Sequence, residues 1–191
     1  MILDLIFEQI NFINGLIIDL NDIPDNDYSK YIQSLCYNKI FNINDVSVVL
    51  DNDEKIINII TDNGVNHIDF KFFNNSTKLF NISNIISIDK IRKLLFNNTN
   101  NIIYVIIKYT IDNNKIKIDN IDVKKIENFN WDNLTIQNLG KGQLQFKNTS
   151  ITNIYDNNIN RQDWLNRLKN ESISYYDKMI LRITEYKMEW E

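Results

Sequence analysis

A mixed α/β fold is predicted, with an α-β-β-β-α-β order, a mixed central sheet and a long C-terminal helix. Three observations predict it. Segments 46–50, 55–61 and 65–72 are rich in β-branched and aromatic residues and are separated by short polar connectors. A helical pattern then leads into the continuous apolar run Ile102-Ile103-Tyr104-Val105-Ile106-Ile107. Last, Arg161 to Trp190 repeats Leu165, Leu168, Tyr176, Ile180 and Ile183 near helical spacing.

Residues 1–13 place Leu3, Ile6, Phe7, Ile10 and Ile13 at helical spacing. A second helix is predicted within 25–37, capped by Asp25, with Tyr28, Tyr31, Ile32 and Leu35 as its apolar stripe. The period then changes to that of strands. The connector Asp62-Asn63-Gly64 contains Asn-Gly, a hairpin signal because both residues tolerate positive φ. The three β runs therefore read as an antiparallel meander. Ser87 is the expected N-cap of a helix over 88–96 whose buried side is Ile88, Ile91, Leu94 and Leu95. A strand over 101–110 follows. Its unbroken apolar run predicts burial on both faces, and the intervening helix predicts a crossover laying it parallel to the third strand. Shorter strands are expected near 115–118, 134–136 and 144–146. Asn160 is the expected cap of the last helix, which should pack on the sheet.

The 191 residues suit one domain with a core of its own, and 43% hydrophobic and 24% charged residues describe a globular chain. Within it, 1–40 form a helical N-terminal part, 45–110 the central core, 111–150 further strands and loops, and 160–190 the final helix. The abundance of Ile, Asn, Lys and Asp is that of an AT-rich coding sequence, so individual Asn residues carry little chemistry. Cys36 is the single cysteine, which excludes an internal disulfide and points to an inert thiol in a reducing compartment. With His67 the single histidine, a structural zinc site is excluded as well. The N-terminal apolar run holds Asp4 and Glu8 and lacks a basic start, so neither a signal peptide nor a membrane span is read there. A soluble cytoplasmic protein is expected. The net charge of −4 counts mildly against a generic nucleic-acid binder.

The most informative stretch is Val65-Asn66-His67-Ile68-Asp69-Phe70-Lys71-Phe72. On a strand, His67, Asp69 and Lys71 share one face, and Ile68, Phe70 and Phe72 share the other. The apolar trio enters a core. An Asp and a Lys two residues apart on a rigid strand can bind a divalent metal and position an attacking water.

With its α-β-β-β-α-β order and Asp69-Phe70-Lys71 in the third strand, the chain resembles the PD-(D/E)XK nuclease superfamily and, within it, the type II restriction endonucleases. The likeness covers roughly the C-terminal two-thirds. It implies a Mg²⁺-dependent endonuclease that hydrolyses phosphodiester bonds of double-stranded DNA at a short palindrome. Asp53 and Asp69 would be direct metal ligands, the Phe70 carbonyl a further oxygen donor, and Lys71 the residue that orients water and stabilises developing charge. Asn52-Asp53 stands where the family has Pro-Asp; Asp51 is a close competitor for the second acid and Asp45 a more distant one. His67 holds no position that the family requires and reads as groove-lining.

For DNA contact the best candidate is 140–148, where Lys141 and Lys147 can neutralise phosphates and Gln143 and Gln145 alternate onto one face to read adenine edges. Cutting both strands implies a homodimer, with the N-terminal helices the first choice of interface and the C-terminal helix the second. A cognate DNA methyltransferase is implied as a companion in the same system, not as a stable partner. Within the same fold a repair nuclease or junction resolvase is the alternative; outside it, a non-catalytic DNA-binding or assembly module.

Overall fold

The structure is a computed structural model. It describes residues 2–23, 27–43, 47–50, 57–77, 79–80, 84–95, 99–137, 142–147, 154–156 and 158–190. Helices α1 (Ile2–Ile10) and α2 (Tyr28–Ile40) flank the short strand β1 (Ile17–Asp19). Then come β2 (Ser47–Leu50), β3 (Ile57–Thr61), β4 (Gly64–Asn74), the short β5 (Leu79–Phe80) and β6 (Asn84–Ser87). They are followed by α3 (Ile88–Leu95), β7 (Asn101–Asp112), β8 (Lys115–Lys125), β9 (Leu134–Gln137), β10 (Gln143–Phe146) and α4 (Arg161–Trp190).

The main sheet runs β1-β8-β7-β4-β3-β2, with β5 attached to the end of β4. The predicted core order is therefore present as α2-β2-β3-β4-α3-β7. Strand β7 lies parallel to β4, with Asp69 opposite Tyr104 and Lys71 opposite Ile106, and every other pair in this sheet is antiparallel. A second, smaller antiparallel sheet runs β6-β10-β9.

Each face of the main sheet has its own core. On one, Ile68, Phe70 and Phe72 of β4 and Ile103, Val105 and Ile107 of β7 pack with Ile6 and Ile10 of α1 and Ile32, Cys36 and Ile40 of α2. On the other, Ile102, Tyr104 and Ile106 pack with Ile91 and Leu95 of α3, Leu144 and Phe146 of β10, and Trp164 and Leu168 of α4. Alternation along β7 feeds both cores, which is why its sequence is apolar without a break. Burial pushes the Cys36 thiol up to about 12, the inert state expected of it.

Local chemistry explains the element ends. Ser87 Oγ accepts from Lys90 N at 3.2 Å, and Asn160 Oδ1 accepts from Asp163 N at 2.9 Å, so both predicted caps are in place. The cap of α2 is Asp27, which accepts from Lys30 N at 3.0 Å; the expected Asp25 lies outside the described residues. In the β3–β4 hairpin Thr61 pairs with Gly64, leaving Asp62 and Asn63 as the turn. Positive φ falls on Gly64 (120°) and not on Asn63. The β7–β8 hairpin instead turns on Asn113 and Asn114, both in the left-handed region (φ 46° and 59°), as a two-residue hairpin loop requires.

Two expectations are corrected. Strand β8 extends to Lys125, well past 118, because a bulge intervenes: Tyr109 pairs with Ile118 but Lys108 with Asn120, leaving Asp119 as an extra residue. Inward-facing positions switch there from Ile116 and Ile118 to Ile121 and Val123, which breaks the alternation. Helix α4 does not lie on the sheet along its length. Its buried residues are Trp164, Leu168 and Ser172, whereas Ile180 and Ile183 are 61% and 60% exposed.

Gly64 leaves no room for a side chain. A Cβ there would sit 2.5 Å from the carbonyl oxygen of Thr99 at a φ that side chains rarely adopt. Gly64→Ala should cost about 1–3 kcal/mol, measured by urea unfolding. An unchanged midpoint would show that the turn relaxes freely.

Candidate active site

Strand β4 is held on both edges, by β3 as far as Ile68 and by β7 from Asn66 to Asn74. Rigid placement follows for the side chains that alternate off its polar face. Phe70 is buried in the first core, and Asp69 and Lys71 turn to the other face with side chains 19% and 12% exposed. Lys71 Nζ lies 2.9 Å from Asp69 Oδ2 and 5.8 Å from the centroid of the Tyr104 ring. The two residues that the sequence singles out thus form one half-buried ion pair over an aromatic floor.

Burial is the main influence on the Asp69 carboxyl and raises its pKa. Lys71, a hydrogen bond donated by the Phe70 backbone N–H, and the charge of Lys90 on α3 oppose it without reversing it. Helix α3 therefore directs a second cation at the same carboxylate. The Tyr104 hydroxyl is pushed well up, first by burial and then by the charge of Asp69. It is buried without a hydrogen-bond partner among the described residues. His67 shares the face, but its Nδ1 is engaged with Asn58 Oδ1 of β3 at 2.6 Å.

Strand β3 begins at Ile57, opposite Ile68, at the Asp69 end of the β3–β4 pair. Asp53, Asp51 and Asp45 precede it in the chain and lie outside the described residues, as does Lys141. Among the described residues no three His, Cys, Asp or Glu side chains gather to hold a metal ion. Asp69 by itself fits a hard cation. It is an oxygen donor on a fixed strand whose charge burial penalises and a cation would compensate.

The remaining predicted contacts fall elsewhere. Strand β10 is the middle strand of the second sheet, with Gln143 opposite Ser87 of β6 and Gln137 of β9. Because Ser87 caps α3, the start of β10 is joined to the helix that carries Lys90. Gln143 is half-buried and Lys147 is exposed, its Nζ donating to the carbonyl of Asp132 at 2.8 Å. Gln145 is 5% exposed, so Gln143 and Gln145 do not together present an open reading face. Strand β10 is paired along both edges, with β6 and β9, and Leu144 and Phe146 on its other face are buried in the second core.

A second polar group on the same face escaped the sequence reading. Asp122 of β8 accepts from Tyr155 Oη at 3.0 Å and pairs with Lys108 of β7 at 2.7 Å. Lys108 and Lys124 also flank the Tyr155 ring, 5.9 and 5.4 Å from its centroid. Asp122-Val123-Lys124 repeats the Asp-x-Lys spacing, and Lys71, Ile106 and Asp122 stand in one row across the sheet. The repeated spacing was the available signal; the bulge at Asp119 hid which face it occupies. Here the Asp is closed off by Lys108 and Tyr155.

The raised pKa of Asp69 has a consequence for stability. The folded state holds this proton more tightly than the unfolded chain, so ionising Asp69 costs stability as pH rises through the ordinary carboxylate range and the raised folded value. Asp69→Asn removes that cost. It should raise the melting temperature at pH 7, and the gain should vanish towards pH 3, where Asp69 is protonated in both states. If Asp69 meets a cation, millimolar Mg²⁺ should stabilise the wild type and not the Asn variant. A pH-independent difference would show that Asp69 is not strained by burial.

Comparison with models of known protein families finds no match for this sequence, and comparison with curated proteins finds none either.

Proposed function

We propose that the protein is a Mg²⁺-dependent endonuclease acting on double-stranded DNA, of the type II restriction class. The observation that carries this reading is the Asp69–Lys71 pair on the polar face of β4, next to a parallel β7, in an α-β-β-β-α-β order. Phosphodiester hydrolysis needs large transition-state stabilisation, and a bound Mg²⁺ would supply charge neutralisation and a more acidic water. Asp69 and the Phe70 carbonyl would hold it, together with Asp53 or, in its place, Asp51. The protein's own contributions follow from the positions of its side chains. Asp69 fixes where positive charge sits relative to the strand. Lys71, 2.9 Å from that carboxylate, orients a water or meets charge developing on the phosphate. Lys90 adds positive potential from α3. Lys147 and the half-buried Gln143 are the described residues of 140–148 left for DNA contact, and a two-fold pair of chains would cut both strands of a palindrome.

One observation favours a second reading, a DNA-binding module without catalysis: among the described residues no group of three His, Cys, Asp or Glu side chains gathers to hold a metal ion.

Incubating the protein with long duplex DNA and Mg²⁺ separates the readings. Discrete fragments support a restriction enzyme, preference for branched DNA a resolvase, and binding without cleavage the module. Asp69→Ala should abolish cleavage with the fold intact by circular dichroism. Lys71→Ala should slow the cleavage step by about 10²- to 10³-fold with little change in DNA affinity, because its contacts strengthen in the transition state. Asp53→Ala and Asp51→Ala, compared side by side, identify the second acid. Wild-type rates in Asp69→Ala would overturn the site.

A further inference from the structure

We propose that the distal half of α4 is a self-association surface, and that its occupant is a second copy of this chain packed antiparallel through Ile173, Tyr176, Ile180, Ile183, Lys187 and Trp190. Buried residues tie α4 to the domain at Trp164, Leu168 and Ser172. From Ile173 to Trp190 the helix runs on for about 27 Å at 1.5 Å per residue. Most helical stability in proteins comes from packing an apolar face, and this segment carries an apolar line along one side, with Leu181, Tyr186 and Met188 exposed outside it. Lys178, Arg182, Glu185 and Glu189 share one side. Ile173, Tyr176, Ile180, Ile183 and Trp190 line the other, and Ile173, Ile180, Ile183 and Trp190 are 49%, 61%, 60% and 90% exposed.

The spacing of that line is three, four, three, four and three when Lys187 is included, the 3.5-residue period of a two-helix seam. The five apolar residues of that line, 39% to 90% exposed, present roughly 700 Å², above the roughly 300–600 Å² of the largest patch on an ordinary monomer. The same area is close to the ~800 Å² that one partner buries in a standard interface. The seam is also complementary to itself in one direction. Set antiparallel about a two-fold axis between Ile180 and Ile183, it forms the layers Ile173 with Trp190, Tyr176 with Lys187, and Ile180 with Ile183, each occurring twice. Lys187, the one charge in the seam, then meets a Tyr176 ring beside Asp177. A parallel pair would set Lys187 against its own copy. This assignment does not depend on the nuclease reading.

The test is sedimentation velocity on the full chain without DNA or Mg²⁺. A dimer is expected. Ile183→Asp should weaken it at least about tenfold, that is by 1.4 kcal/mol or more, and Lys187→Leu should tighten it. Orientation is read by oxidising cysteine variants, since Cys36 is buried. A mixture of Ile180→Cys and Ile183→Cys chains should cross-link, and neither alone should. Cross-linking by each variant alone would overturn the antiparallel layers. A wild-type monomer at high micromolar concentration, or a dimer indifferent to both Ile183→Asp and Lys187→Leu, would overturn the proposal. A monomer that still cleaves DNA leaves the nuclease reading standing, and a dimer that never cleaves leaves the seam standing.

Discussion

Pairing of β4 with β7 is the constraint on which the other features rest. It is the single parallel ladder described in the main sheet, and it needs the α3 crossover to exist at all. Because β7 is covered on both sides, it binds the α1–α2 layer to one face and the α3, β10 and α4 layer to the other. Weakening this ladder would separate two cores rather than loosen one. The same ladder fixes the register that sets Asp69 over Tyr104 and Lys71 beside Ile106.

The polar face is consequently a charged strip laid across an apolar layer. Asp69 and Lys71 sit at one side and Asp122, Lys108 and Lys124 at the other, with Tyr104 and Ile106 between. Each cluster has cations beside a carboxylate, but they differ in closure. Asp122 is locked by Lys108 and by the Tyr155 hydroxyl. Asp69 is held less completely, as the upward direction of its pKa records: burial outweighs the partners it has. A carboxylate left short of positive charge is the one with something to gain from a cation, which is why chemistry is assigned to the β4 side.

What was legible in the sequence was whatever depends on short-range pattern. Ser87 and Asn160 cap as their positions suggest, and β4 turns the faces it should, since strand alternation leaves no other choice once Phe70 is buried. The run 102–107 announced a strand covered on both sides. Long-range packing was less readable. Gln145 has the spacing of a surface reader, yet it is 5% exposed on the middle strand of the second sheet, a placement that depends on long-range packing and not on spacing. Asp27 was passed over for Asp25 because two candidate caps stand two residues apart and propensity does not separate them. The stripe of α4 was read correctly as apolar but assigned to the sheet, since a sequence shows that a face needs covering and not what covers it. For the second acid of the site, Asp53 and its competitors lie outside the described residues, and the reading from residue order is unchanged.

The bulge at Asp119 bears on how this face could have come about. A strand has two sides, and a bulge absorbs one extra residue so that the positions beyond it keep theirs: Ile121 still falls opposite Ile107 and Asp122 opposite Ile106. Were the same residues to run as a regular strand from Ile118, Asp122 and Lys124 would point into the aliphatic layer, and Ile121 and Val123 would line the polar strip. Sidedness beyond Asp119 is therefore all-or-none, set by whether the extra residue is absorbed. Loss of the Asp119 codon would leave the far wall of the strip on the side it occupies, so this face can shed or gain that residue with no substitution at any residue that forms it.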